Sequence, residues 1–349
     1  MLRKTIYILL IFSSLISCEE VYYPSMKDAG GQLVVDALVT NDPTQSYVRL
    51  SRSTSFYDLG EPSSVTGASV KLMDTKGNSF QGTEISAGKF TFSNSPVVGK
   101  SYKLQIFLGS DTYESEILAM PPIPTLSNFY SERTESKEYQ SNSSGVPVAV
   151  TVTGQELYAD APVTAALANY RFFARTVMEW VYVIPNTPMA PTMYGWQSLY
   201  DKSTYNIAGP KKFSQISKIE KQPLMLLPFN TTQLIQTGAS VAGWIFILDQ
   251  YGTSQSSFDY HEKLNSQFSA NGSLFDPVQT QVYGNIICKT DPAKIVFGFF
   301  DLASYQQHRY FIQFNGSDLA GSAVIRKINS YPAIPENGQI INVRPGWWE

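Results

Sequence analysis

The chain has 349 residues, of which 43% are hydrophobic, 13% aromatic and only 16% charged, with a formal net charge of −3. That length holds one large domain or two ordinary ones with a real core, and low charge beside many aromatic and β-branched residues is the composition of extracytoplasmic β structure rather than of a helical cytosolic protein. The balance excludes a basic nucleic-acid binder, and two cysteines exclude a disulfide framework.

The first twenty residues are organised differently from the rest. Arg3 and Lys4 precede a short apolar run, Ile6 to Ile16, interrupted by Ser13 and Ser14. The run is shorter than the roughly 20 residues a bilayer span needs, so residues 1–17 read as a secretory signal that is removed. Leu15-Ile16-Ser17-Cys18 reads as a lipobox, which makes Cys18 the mature N-terminus and the lipidation site. The competing readings are an ordinary cysteine or an uncleaved anchor, and the hydroxyl pair Ser13-Ser14 weakens the latter. Residues 18–31, with Pro24 and Gly30-Gly31, form a polar tether. Glu19 and Glu20 are either a sorting signal or solvated tether.

Residues 32–120 read as strand after strand. Leu33, Val35, Ala37 and Val39 alternate with other residues, as do Tyr102, Leu104, Ile106 and Leu108, and Val70-x-Leu72 and Phe90-x-Phe92 repeat the period. A period of two marks a strand with one buried face. Turn signals at Asn41-Asp42-Pro43, Asp74 to Asn78, Gly88 and Gly99 separate the strands. The expected unit is an antiparallel, immunoglobulin-like β-sandwich. Gly67-Ala68-Ser69-Val70-Lys71-Leu72 followed by Gly88-Lys89-Phe90-Thr91-Phe92 resembles the small transthyretin-like and carboxypeptidase-regulatory sandwiches, which bind or support and do not catalyse.

Three prolines in Pro121-Pro122-Ile123-Pro124 interrupt any central strand, which places a domain junction there. Residues 125–349 then read as a larger, mainly β domain with one or two helices. Residues 131–145 are a polar hairpin or loop. Val146 to Thr153 alternates, and Asn169 to Val183 is a long aromatic strand in which Arg171, Ala174 and Glu179 interrupt a nearly continuous apolar run. Residues 185–213 read as a long loop rich in Pro, Tyr and Trp. A helix is expected near 258–269, capped by Ser256 or Ser257, with Asp259 in its first turn and Tyr260, Leu264 and Phe268 on one face. Strands are expected at Gly243–Leu248 before it and at Ile295–Phe300 and Arg309–Phe314 after it.

No motif carries catalysis: there is no Gly-x-Ser-x-Gly elbow and no phosphate loop. His261 reads as a helix-surface residue and His308 as part of a polar turn, neither with a metal-ligand neighbour. Cys288 reads as a buried small hydrophobe. The candidate ligand or partner contacts are Tyr194, Trp196 and Tyr200 of the long loop, because Tyr and Trp are favoured interface anchors. The competing reading has them cover the core, and Trp347-Trp348 carries the same ambiguity. No cofactor and no metal is expected.

Taken together, the lipobox, Leu33-Val34-Val35-Asp36-Ala37-Leu38-Val39-Thr40, Gly99 to Leu104, Tyr260-His261-Glu262-Lys263-Leu264, Gly272 to Asp276, Gly284-Asn285-Ile286 and Phe297-Gly298-Phe299-Phe300 resemble the Bacteroidota outer-membrane lipoproteins of the domain-of-unknown-function 4249 family. The resemblance implies a surface-exposed outer-membrane lipoprotein, often encoded beside a TonB-dependent transporter, with a role in nutrient capture. It carries over no catalytic residue. Many relatives have a cysteine-bearing stretch before the tail, and residues 316–349 have none. The resulting expectation is a non-enzymatic accessory binding or lid component, held to the membrane by lipid, with a TonB-dependent transporter as partner and the ligand open. A structural or assembly factor is the alternative, and an extracellular hydrolase ranks third.

Overall fold

A computed structural model describes residues 31–55, 60–142, 144–183, 192–201, 205–210, 216–228, 240–268, 281–314, 323–328 and 340–341. The fold is mainly β. In the first part of the chain the strands are β1 (Leu33–Thr40), β2 (Tyr47–Arg52), β3 (Ser69–Asp74), β4 (Ser79–Gln81), β5 (Thr83–Ser86), β6 (Lys89–Thr91), β7 (Ser101–Leu108), β8 (Asp111–Ser115) and β9 (Leu118–Ala119). The second part contributes β10 (Asn128–Ser141), β11 (Pro147–Pro162), β12 (Asn169–Val183), β13 (Thr192–Tyr200), β14 (Asn206–Ala208), β15 (Lys218–Pro228) and β16 (Ser240–Thr253). After the single α-helix among the described residues, α1 (Gln255–Phe268), come β17 (Ile286–Cys288), β18 (Val296–Phe314), β19 (Ala323–Lys327) and β20 (Ile340–Ile341).

The alternation read in the sequence is realised as burial. Leu33, Val35, Ala37, Val39, Val48, Leu50 and Phe90 meet Val70, Leu72, Tyr102, Leu104 and Ile106 in one core, so two sheets face each other as a sandwich. At roughly 25 cal/mol per Å² of apolar surface, burying each of the larger of these side chains stabilises the fold by about 1.5–3 kcal/mol. The sandwich also draws on residues far along the chain. β17 pairs with β8, β18 runs parallel to β1, and Ile286, Cys288, Phe300 and Leu302 enter the same core. Sheet pairing therefore crosses the proline segment, which is itself tied down: Ser304 Oγ donates to the Pro122 carbonyl at 2.6 Å and Gln250 Nε2 donates to that of Thr125 at 3.2 Å.

β18 joins the two halves. Its first part pairs with β1 (Leu33 with Val296 through Thr40 with Ala303) and its later part with β16 (Gly252 with Ser304 through Trp244 with Ile312). The result is an eleven-stranded sheet in the order β20-β13-β12-β16-β18-β1-β2-β6-β5, with β14 added beside β12 and β19 beside β18. A three-stranded sheet, β10-β11-β15, packs on its other end, where Leu157, Ala159 and Leu227 meet Phe172, Phe246 and Ile312.

Four local expectations change. The stretch 185–213 contains β13 and β14 rather than only loop, because alternate residues Tyr194 and Trp196 give it a buried face against β12. The strands expected at 295–300 and 309–314 are one strand, β18, whose polar middle is satisfied by side chains of β16 and by Asn41. His308 consequently lies mid-strand and buried, not in a turn. Ser254, not Ser256 or Ser257, caps α1: its Oγ accepts from the Ser257 N–H at 3.1 Å, which moves Asp259 beyond the first turn.

The parallel junction of β1 and β18 depends on Gly298. Its φ is +88°, and a Cβ placed on it would lie 2.0 Å from the Val35 carbonyl oxygen. Backbone does not yield as a flexible side chain does, so Gly298→Ala is expected to lose roughly 3 kcal/mol or more of stability, combining left-handed strain with overpacking. Urea denaturation of the two proteins checks this, and a loss within experimental error would refute it.

Candidate functional site

The large sheet places a row of polar and aromatic residues on the face opposite the two cores. On β12, Arg171 pairs with Tyr251 of β16, which pairs with Tyr305 of β18. On β1, Leu38 pairs with Asp301 of β18 on one side and with Tyr47 of β2 on the other. Leu38, Tyr251, Ala303 and Tyr305 pack together, with Tyr47 against them. Residues from five strands in both halves of the chain thus form one floor.

Arg171 is its centre. The guanidinium carbon sits 4.9 Å from the ring centroid of Tyr251. Nη1 lies 3.4 Å from Asp301 Oδ2 and 3.0 Å from His261 Nε2. α1 brings His261 to this point. Ser257, Phe258 and His261 form its buried side, and Tyr260 stacks on Phe299 at 4.6 Å between centroids. His261 is therefore 7% exposed, not a surface residue as its polar neighbours suggested.

The hydrogen bonds assign its tautomer. Nδ1 lies 2.8 Å from the Ser257 carbonyl oxygen, which only accepts, so Nδ1 carries the proton and Nε2 accepts from Arg171. Burial and then the Arg171 charge push His261 below the usual histidine range, which keeps it neutral. With both ring nitrogens engaged, Nε2 is not free to take a proton from a nucleophile. The arrangement holds a cation in place; it is not assembled for acid–base work.

Two cavities meet at Arg171. A smaller one of about 350 Å³ lies toward α1, lined by Asp36, Tyr260, His261 and Asp301, and a larger one of about 730 Å³ lies toward β2 and β6, lined by Lys89, Phe173, Asp249 and Tyr251. Tyr47, Arg171 and Tyr205 line both. Burial pushes Tyr47 up to about 12, Asp36 adding to the effect, and burial pushes Tyr260 up to about 12 as well. At neutral pH these walls present uncharged hydroxyls. Tyr47 donates to Asp36 Oδ1 at 3.1 Å, while Tyr305 and Gln307 donate to Asp249 Oδ1 at 2.6 and 2.7 Å. Among the described residues no group of three His, Cys, Asp or Glu side chains is placed to hold a metal ion.

The residues expected from the sequence do not converge on this cleft. Trp196 is 1% exposed, packed with Val177, Ile245, Ile247 and Phe311, and Tyr194 lies against that cluster. Tyr200 is 57% exposed and borders a separate cavity of about 630 Å³ with Leu199, Pro223 and Leu226. Cys18 lies outside the described residues. Trp347 and Trp348 do too. The cleft residues did leave a trace in the sequence: Asp36 is the one charge in Leu33–Thr40, Asp301 the one charge between Val296 and Tyr305, and Arg171 the first charge to interrupt the aromatic run from Asn169 to Val183. Charged residues are almost never fully buried unless paired, so such interruptions point to a built polar site.

His308, on the opposite face, gives a pH prediction. Its Nε2 donates to Gln250 Oε1 at 2.9 Å, and burial, with repulsion from Lys327, pushes it from 6.5 to about 4. A histidine with a depressed folded pKa is neutral in both states above pH 6.5, and the folded state loses stability as pH falls from there to about 4. The loss is roughly 3 kcal/mol at most, and His261 adds to it in the same direction. Chemical denaturation at both ends of that window should show it, and His308→Gln should flatten the dependence. Equal slopes for the two proteins would refute the assignment.

The family model for a domain of unknown function, DUF4249, matches residues 19–309. No curated protein and no solved structure matches the chain.

Proposed function

The chain belongs to the DUF4249 family, and from that membership and the cleft at Arg171 we propose that it is a lipid-anchored, surface-exposed protein of the outer membrane that captures a small ligand without transforming it, as an accessory binding component of a TonB-dependent uptake system. The observation that carries this reading is the pair of contiguous cavities walled by Tyr47, Tyr205, Tyr251 and Tyr260. A binder needs a concave, aromatic-lined site with a few fixed polar groups, whereas an assembly factor needs a flat apolar patch. The engaged nitrogens of His261 favour binding over hydrolysis. The lipid address rests on the order Arg3-Lys4, apolar run, Ser17, Cys18.

A structural or assembly role is the second reading, and one observation favours it. β10 pairs with β11 along the whole length of β10, but β15 joins β11 only over Gly154–Pro162. The far half is a two-stranded ribbon with Tyr139, Val146 and Val148 exposed near its tip. A lone ribbon is marginal in water and gains from a partner. Pull-down of the tagged protein from mildly solubilised outer membranes, with mass spectrometry, separates the two. A stoichiometric TonB-dependent barrel is the expected result. Recovery alone, or with assembly or secretion components, overturns the uptake reading.

A further inference from the structure

Resting on the reading of the cleft as a ligand site, we infer that its ligand is an organic cation carrying a primary ammonium group, held between Asp36 and Asp301 against the tyrosine walls of the smaller cavity. Charge is the first argument. Asp36, Asp249 and Asp301 line the two cavities against Lys89 and Arg171, and the neutral His261 adds nothing. Arg171 is already drawn to Asp301 at 3.4 Å. The surplus is negative, and low-dielectric walls strengthen its field on whatever enters.

The second argument is an unmet acceptor. Asp301 is 3% exposed; its Oδ2 has only the Arg171 ion pair at 3.4 Å, and among the described residues its Oδ1 receives no hydrogen bond. A buried carboxylate oxygen without a donor costs the fold unless a group from outside supplies one. Asp301 borders the smaller cavity together with Asp36, which lies two residues before Leu38, its pairing partner across β1 and β18. An ammonium offers three donors and a full positive charge, which satisfies both carboxylates; a hydroxyl offers one donor and no charge.

The third argument is the rings. Tyr47, Tyr205 and Tyr260 border the same cavity. Tyrosine faces carry the negative part of the ring quadrupole and attract cations. The cleft already holds one cation in this manner, Arg171 over Tyr251. The remainder of the ligand extends past Arg171 into the larger cavity.

Calorimetric titration of the mature chain with three four-carbon probes, putrescine, succinate and erythritol, tests the class. Putrescine is expected to bind, succinate and erythritol are not, and added salt weakens the binding. Asp36→Asn, at an exposed position that tolerates substitution, is expected to weaken putrescine about tenfold. Asp301→Asn should weaken it at least as much, with thermal melting to confirm that the variant folds. Putrescine binding that neither variant alters overturns the proposal, because the amine then sits elsewhere. Binding of succinate or erythritol without putrescine overturns the cation class and leaves the cleft as a ligand site. Silence of all three overturns the cation class, and if a broader fragment screen also finds nothing in the cleft, the binding reading falls with it.

Discussion

Replacing Arg171 by methionine is expected to destabilise the protein by about 3–5 kcal/mol, because it strands the buried Asp301 carboxylate. Methionine keeps much of the apolar stem but supplies no charge. Asp301 then faces the low-dielectric floor with no counter-ion, and His261 loses the donor to its Nε2. Combining Arg171→Met with Asp301→Asn removes the uncompensated charge and should recover much of the loss. Denaturation of the two single variants and the double variant measures the coupling. If the losses simply add, the pair is not coupled and the cleft is not organised around Arg171.

Changing Cys18 to alanine is expected to release the protein from the membrane altogether. Each buried CH₂ of an acyl chain contributes about 0.8 kcal/mol of membrane affinity, so losing the attachment point of two or more chains removes all stable anchoring. The folded body should be unaffected, since its first strand begins at Leu33. Membrane fractionation and incorporation of labelled palmitate read the two effects separately. A Cys18→Ala protein that still sediments with membranes would refute the lipid anchor and direct attention to the apolar run before it. Among the described residues no helix is long and apolar enough to cross a membrane.

Much of the fold was legible because strands announce themselves locally. Val35, Ala37 and Val39, or Tyr102, Leu104 and Ile106, alternate in the sequence and are buried in alternation in the structure. Cys288 was readable in the same way, as an apolar-flanked residue that ends up 1% exposed. Where tertiary partners satisfy polar groups, local reading failed. Gln306 to Arg309 looks like a turn because it is polar, yet it lies mid-strand, where Gln250 and Asp249 take up hydrogen bonds from His308 and Gln307. His261 looks solvated because Asp259 and Glu262 flank it, yet the helix turns it inward onto Arg171.

The sequence by itself determined the mainly β class and, through the order of its weak motifs, the family; the first eighteen residues also contain the whole argument for the membrane address. Only the tertiary structure decided where the site lies. A period of two assigns each residue to a face of its strand but says nothing about which strand lies beside it. The neighbours of Asp36 are set by β18 running parallel to β1, and those of Arg171 by β16 lying between β12 and β18. That order comes from the combined burial of two cores and is not encoded in any short segment. Arg171, Asp301 and His261 are far apart in the chain and meet because the sheet that buries Phe300 and Leu302 on one face must present Asp301 on the other.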